Sequence, residues 1–519
     1  MFLNRQKIII LIKKNYDLIF GFLFFIFYRF FFTWLLWHGR GVPPEPDDSY
    51  FYLSAAKNFP NVQNFEDFRL IPFSLFLKIV SFFSNGNFER AYEINFYIGS
   101  ILMFIAIAYF MSKLEINKKF RLAVFLVLTL YSGSGAYHGF YWVVPSFYQL
   151  AMFFIMLAFL AAKKLPSLPV IIASVYVFTF MHPSSIYASL IFLIYPFIVY
   201  FFDRRLFLLS FKNSSVITII SLVSFGTYFS LGRLFPSAGS PESFESTFSG
   251  IRSILTLEAR PQSFSVIWQE YFALLFFNPL SILAYFAIIF SCFYIKKVKI
   301  LAMYLSSLVF VLASSFVAYG WRTLSFLWPI TFVLIGYALI GFHSWQSNFL
   351  NKFKIIPVIA FILFFFLSTS LNLLWIKSVN AKNNYSWDRS CPSRIAKENE
   401  RVYFTSLESY YAFQLHGLPK TKQALLSEDD LPDLNVGNPF VVTSRVEPTI
   451  QENLSFLENL LAKKISRKNK AGDINLPPSF WRQRFVNQKD LDLWMQENGY
   501  VLKLASDCGH FQVYKIQKA

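Results

Sequence analysis

Charge is what this chain has least of. Only 15% of its 519 residues are Asp, Glu, Lys or Arg, while 55% are hydrophobic and 20% aromatic; an ordinary soluble domain carries about a quarter charged residues. That shortfall excludes a water-soluble globule as the whole of the molecule. Other absences narrow the chemistry. There is no internal repeat, no Gly-rich phosphate loop, no zinc-ligand spacing and no Gly-x-Ser-x-Gly elbow, so no nucleotide loop, zinc module or hydrolase elbow announces itself. Cysteine is limited to three residues. Cys292 lies in an apolar run as a small hydrophobe. Cys391 and Cys508 stand in the polar C-terminal part, where an oxidising compartment would permit a disulfide and two unpaired thiols are the other reading.

What is present is apolar sequence in runs that reach the ~20 residues needed to cross the hydrocarbon core. These fall near 17–37, 93–112, 121–136, 145–162, 167–182, 184–202, 214–231, 271–294, 300–319, 323–343 and 355–376, about eleven spans. The sequence predicts a mainly α, polytopic helix bundle over 1–376 and a small α/β domain over 377–519, where strand-like and helix-like stretches alternate. In that second part strands are expected at 401–406 and 439–444, helices at 407–416, 449–465 and 488–498, and a closing hairpin around Asp507-Cys-Gly509.

The formal charge of +18 would suggest nucleic acid if it were gathered in one patch. It lies instead in alternate connections between spans. One set, from Arg5 to Lys354, holds eighteen Lys and Arg against Asp17, Glu115 and Asp203; the other holds nine bases against eleven acids. Basic residues beside spans stay on the cytoplasmic side, so the N-terminus is expected inside and the C-terminal domain outside, with no nucleic-acid partner. The first span follows a basic start without a small-residue cleavage site and reads as a retained signal anchor.

Two outside connections, about 38–92 and 232–270, are too long to be turns, and loops of that length usually carry function. The first opens with Asp47 and Asp48 after a Pro-rich exit from the span. Its helices are expected to lie along the membrane surface. A carboxylate exposed outside yet close to lipid suits general-base work, with a cation steadying a phosphate. The plainer reading is solvated surface or a helix N-cap, for which Asp48 is placed, and local chemistry by itself favours the cap. Arg29 interrupts Phe-Tyr-Arg-Phe-Phe-Phe; it either faces a lipid-phosphate cavity or reaches the interface by snorkelling or a shifted span end. Arg322 stands at an outer span end, where its guanidinium could grip a phosphate. His138 and His182 mark outside turns; they either line a cavity or are structural.

Several of these pieces together resemble one family. Pro46-Asp47-Asp48-Ser49-Tyr50-Phe51-Tyr52 after a single first span, Arg69-Leu-Ile-Pro72 later in that loop, and Tyr319-Gly-Trp-Arg322-Thr-Leu-Ser-Phe-Leu-Trp-Pro329 late in the chain are similar to the GT-C superfamily of polytopic membrane glycosyltransferases. The resemblance is one of architecture over most of the chain. It implies transfer of a sugar from a polyprenyl-phosphate-linked donor to a lipid, glycan or protein acceptor outside the cytoplasm, with inversion and with Asp47 or Asp48 as base. The candidate substrate contacts are Arg322, Arg69, Tyr52, His182, His138, Arg260 and Arg29. Asp48 has the family's Tyr four residues on; Asp47 has the acidic neighbour. No WWDYG-like segment is present, which argues against the oligosaccharyltransferase branch; a divalent metal is possible but not indicated. The expected location is a bacterial cytoplasmic membrane, with the site facing the periplasm or exterior, although Asn384-Tyr-Ser and Asn453-Leu-Ser would be glycosylated in an endoplasmic reticulum. A glycan polymerase or ligase using diphospholipid-linked chains, a transporter or flippase, and a scaffold or receptor are the rival classes.

Overall fold

In lipid each backbone N–H and C=O must be satisfied within its own segment or a closed barrel, so uncharged Leu-, Ile- and Phe-rich runs fold as helices. The computed structural model describes residues 15–37, 43, 46–60, 71–114, 116–133, 144–181, 184–234, 298–314, 330, 333, seven positions between 362 and 373, 387–397, 401–405, 407–419, 423–426, 439–444 and 488–519. The helices of the first part are α1 Tyr16–Trp37, α2 Pro46–Asn58, α3 Ile71–Phe82, α4 Phe88–Lys113, α5 Lys118–Gly133, α6 Val144–Ala161, α7 Leu168–Met181, α8 Ser184–Phe202, α9 Arg204–Leu234 and α10 Val298–Ser314. Three helices among the described residues, within α1, α4 and α9, are long and apolar enough to cross a membrane.

Contacts divide the chain into two units. The first comprises residues 1–34, 63–73 and 93–374; the second comprises 35–62, 74–92 and 375–519. In the first unit α8 packs on α9 and α10, α6 packs on α7, and α9 also contacts α6 and α7. Gly21 of α1 permits close approach to α5, since a Cβ there would meet the Phe125 ring at 2.7 Å. Phe125 in turn stacks on Phe104 of α4 at 4.4 Å. Asp17 at the start of α1 pairs with Arg121 at 2.7 Å, and Lys299 Nζ donates to the Ala161 carbonyl at 2.8 Å. Asp17 and Arg121 belong to the same set of connections in the charge pattern.

The outward faces are greasy. Along α1, Phe20, Leu23, Phe27, Phe31 and Trp34 are exposed while Phe25, Tyr28, Arg29 and Phe32 are buried, a helical stripe turned out of the fold. On α8 and α9, Leu193, Phe197, Phe201, Leu208, Ile219 and Leu222 are likewise exposed. Apolar faces of this extent mark contact with a non-aqueous phase, and the protein is membrane-associated.

The second unit holds a five-stranded sheet with order β2-β1-β3-β5-β4: β1 Val402–Phe404, β2 Gln423–Leu425, β3 Phe440–Ser444, β4 Tyr500–Asp507 and β5 Phe511–Lys518. Its helices are α11 Cys391–Lys397, α12 Leu407–Leu415 and α13 Gln488–Glu497. Strand β1 runs parallel to β2 and β3, and β5 runs antiparallel to β3 and β4. Strand side chains alternate between faces. Tyr403 therefore joins Val441, Ile516, Leu491 and Met495 in the core, whereas Phe404 meets Phe413 of α12 at 5.5 Å. Cys391 and Cys508 form a disulfide, the first of the two readings. The hairpin turns at Gly509, whose φ of 84° suits glycine, and its N–H donates to Asp507 Oδ1 at 3.0 Å.

Several expectations shift. Helix α4 begins at Phe88, not near 93, because Asn87 caps it by accepting the Arg90 N–H at 3.0 Å. Helix α9 starts at Arg204, so Arg204, Arg205 and Lys212 ride on the helix and not in a connection. Helix α2 does not simply lie on a surface: Ser49 to Ala56 are buried and α2 packs on α12. The expected helix at 449–465 and the spans at 271–294 and 323–343, apart from 330 and 333, lie outside the described residues.

Candidate functional site

Helix α2 carries the acidic pair. Its first residue is Pro46, whose ring fixes φ and removes an N–H that would have no helical partner there. Asp47 and Asp48 therefore fall inside the first turn, where the helix dipole favours negative charge. Asp48 is a third helical residue and not the N-cap that local sequence suggested. The backbone places both residues; their side chains lie outside the described residues. Directly after them, Ser49 Oγ donates to the Tyr92 hydroxyl at 3.3 Å and the Tyr50 hydroxyl donates to Glu89 Oε1 at 3.2 Å. Phe51 meets Tyr411 of α12 at 5.1 Å. Tyr52 is buried with its ring tilted against Phe51. At the other end of α2, Lys57 Nζ donates to the Leu415 carbonyl at the close of α12, where carbonyls lack helical partners. Burial pushes the Lys57 ammonium below its ordinary pKa.

Glu89 is the charge that sequence reading passed over. It sits in the first turn of α4, mostly buried, and its carboxylate gathers three elements of the second unit. Oε2 accepts from both Nε and Nη2 of Arg389, at 2.7 and 2.6 Å, while His416 Nε2 lies 3.5 Å from Oε1. Burial works against the Arg389 charge, but the Glu89 carboxylate outweighs it and holds the guanidinium above its ordinary value. Trp387 covers the group, edge-on to Tyr50 at 5.5 Å and to His416 at 4.5 Å. Beside it, the Ser390 hydroxyl and N–H, together with Arg394, hold the exposed Asp388 below the usual carboxylate range. The signal available in sequence was Asn87-Phe-Glu89, a cap followed by a first-turn acid; its partners lie 300 residues away.

In the first unit, Arg29 is fully buried and its Nε donates to Ser100 Oγ of α4 at 3.3 Å. It does not snorkel. Nearby polar pairs are Tyr28 with Thr369 at 3.2 Å and Tyr148 with Asn95 at 2.7 Å. Arg69, His138, His182, Arg260 and Arg322 lie outside the described residues. Among the described residues, no group of three or more His, Cys, Asp or Glu converges as a metal site would require.

Among the described residues the fold is mainly helical with one small sheet. A solved structure that it resembles is the archaeal oligosaccharyltransferase AglB from Archaeoglobus fulgidus, in complex with an inhibitory peptide and a dolichol-phosphate. The likeness covers 83% of this chain and 70% of that one, with a TM-score of 0.50 and 11% sequence identity. No family model and no curated protein sequence matches the chain.

Proposed function

We propose that this protein is an integral-membrane glycosyltransferase that moves a sugar from a polyprenyl-phosphate-linked donor to an acceptor outside the cytoplasm. The observation that carries the reading is an acidic pair in the first turn of a helix buried along 49–56, within a fold shared with a lipid-phosphate-binding oligosaccharyltransferase. Asp47 or Asp48 takes the proton from the acceptor hydroxyl as that oxygen attacks the anomeric carbon; the carbon–oxygen bond to phosphate breaks, the lipid phosphate leaves and the anomeric centre inverts. Arg322, Arg69 and Arg260 hold the phosphate, because guanidinium matches its oxygens. Arg29, a buried cation in the first span, is the inner candidate for that role. Tyr52, His138 and His182 contact the sugar or acceptor. The protein works in a bacterial cytoplasmic membrane with its α/β domain outside, a sidedness supported by the charge pattern of the connections. The test is transfer of labelled hexose from a short polyprenyl phosphate to an extract of the source envelope by protein in lipid nanodiscs. Label appearing in lipid-free or acceptor-bound product, with inverted configuration by NMR, is expected. An intact donor in every preparation, including diphosphate-linked oligosaccharide donors, would contradict the reading.

A further inference from the structure

A base works only if its carboxylate is held to within a fraction of an ångström of the reacting oxygen, and a 1 Å misplacement can cost about a hundredfold in rate. Two carboxylates in the first turn of a 13-residue helix are poorly held by the helix itself, since the first turn lacks backbone partners for its N–H groups and frays. What fixes this turn is therefore a question for the residues next to it. Ser49 and Tyr50, both fully buried, are bonded to Tyr92 and Glu89 of α4. Glu89 is in turn gripped by Arg389 through two nitrogens on one oxygen. Arg389 stands two residues before Cys391, whose disulfide to Cys508, together with the Trp387–Gly509 bridge and the Asp388 N–H donating to the Cys508 carbonyl at 2.9 Å, fastens that segment to the β4–β5 hairpin.

We infer that Glu89 is the positioning residue of the acidic pair. It carries the rigidity of the disulfide-closed α/β domain through Arg389 and on through the Tyr50 hydroxyl to the turn that bears Asp47 and Asp48. The inference rests on the reading of that pair as the base. A mostly buried carboxylate costs more desolvation than an apolar residue would in its place, and the Tyr50 hydroxyl gives it a direct line to the acidic turn.

Two variants test it, with Asp47→Asn and Asp48→Asn assayed alongside and all rates expressed per folded molecule. Glu89→Gln keeps size and one acceptor oxygen but loses the charge that holds Arg389. Tyr50→Phe removes one hydroxyl and leaves the Glu89–Arg389 pair intact, so it serves where Glu89→Gln fails to fold. Both are expected to lower kcat between tenfold and about a hundredfold with KM for the polyprenyl-phosphate hexose within about twofold. The double variant should be no worse than the worse single one, because both act on one connection. Amide exchange in residues 46–52 should quicken in both, a readout independent of turnover. Full kcat in Tyr50→Phe beside an inactive Asp variant would overturn the positioning role and leave the base standing. A kcat loss with unchanged exchange in 46–52 would also overturn it. Two fully active Asp variants would overturn the base, and this inference with it.

Discussion

Helices α1 and α2 stand on either side of one short connection and are built on opposite rules. In α1 an apolar stripe points out: Phe27 is 74% exposed, and so in part are Phe20, Leu23 and Trp34, while the charged Arg29 is sealed inside beside Phe25, Tyr28 and Phe32. In α2, which is polar in composition and too short to span, Phe51 is 3% exposed and the whole stretch from Ser49 to Ala56 is buried against α12, about 350 residues later in the chain. Hydrophobicity in this chain therefore marks contact with lipid as much as burial in protein. The parts that fix the acidic pair are recognised by packing and not by greasiness.

That contrast can be broken most directly with one residue type at two places. Phe51→Ala removes a ring from a protein core and is expected to cost about 3–5 kcal/mol, visible as a drop in unfolding temperature in detergent. Phe27→Ala, on the outward stripe, should stay within about 0.5 kcal/mol in the same measurement. Equal losses at the two sites would erase the distinction.

The disulfide comes next. Cys391 and Cys508 are separated by 117 positions, and removing a native bridge from a small domain typically costs about 2–5 kcal/mol. Cys391→Ser with Cys508→Ser should therefore destabilise the α/β domain in chemical denaturation while leaving membrane insertion of α1 untouched. A fall in the membrane-inserted fraction would show that the two regions are not independent in this respect.

A charge on the outward stripe sharpens the other side of the comparison. Phe27→Asp is expected to cost roughly 2.5–3.5 kcal/mol if that face meets lipid, read as a reduced carbonate-resistant membrane fraction. A water-facing stripe would accept Asp without loss.

A small effect is expected at the exposed Asp388–Arg394 pair, 2.8 Å apart. Arg394→Ala should change stability by less than about 1 kcal/mol. The sign with pH follows from Asp388, whose carboxyl is held below its ordinary value chiefly by Ser390. Its stabilisation is present above the unfolded-state pKa and fades as pH falls through the lowered folded one, so any Arg394→Ala effect should fade on acidification below the ordinary carboxylate range.

Much of the architecture is legible in the sequence, because its determinants are local. The α8 run at 184–202, the helices around α12 and α13, and the hairpin at Asp507-Cys-Gly509 follow from apolar period, breakers and turn residues. Strand β2, three residues long, carries too little period to be seen, and the start of α4 was hidden because Glu89 and Arg90 read as loop charges. The acidic pair was legible as a candidate through Pro46-Asp47-Asp48. What holds it was not, since Glu89 finds Arg389 only after folding and a single sequence says nothing about which distant residues meet.

The central claim is that a carboxylate of α2 drives sugar transfer. It is tested most directly by measuring turnover of polyprenyl-phosphate-linked hexose by Asp47→Asn and Asp48→Asn proteins in nanodiscs, each checked for unchanged folding and donor binding. The account predicts that one of them loses about a hundredfold or more in kcat, as removal of a general base does, while the other stays within about tenfold of the parent. Parental turnover in both would contradict it.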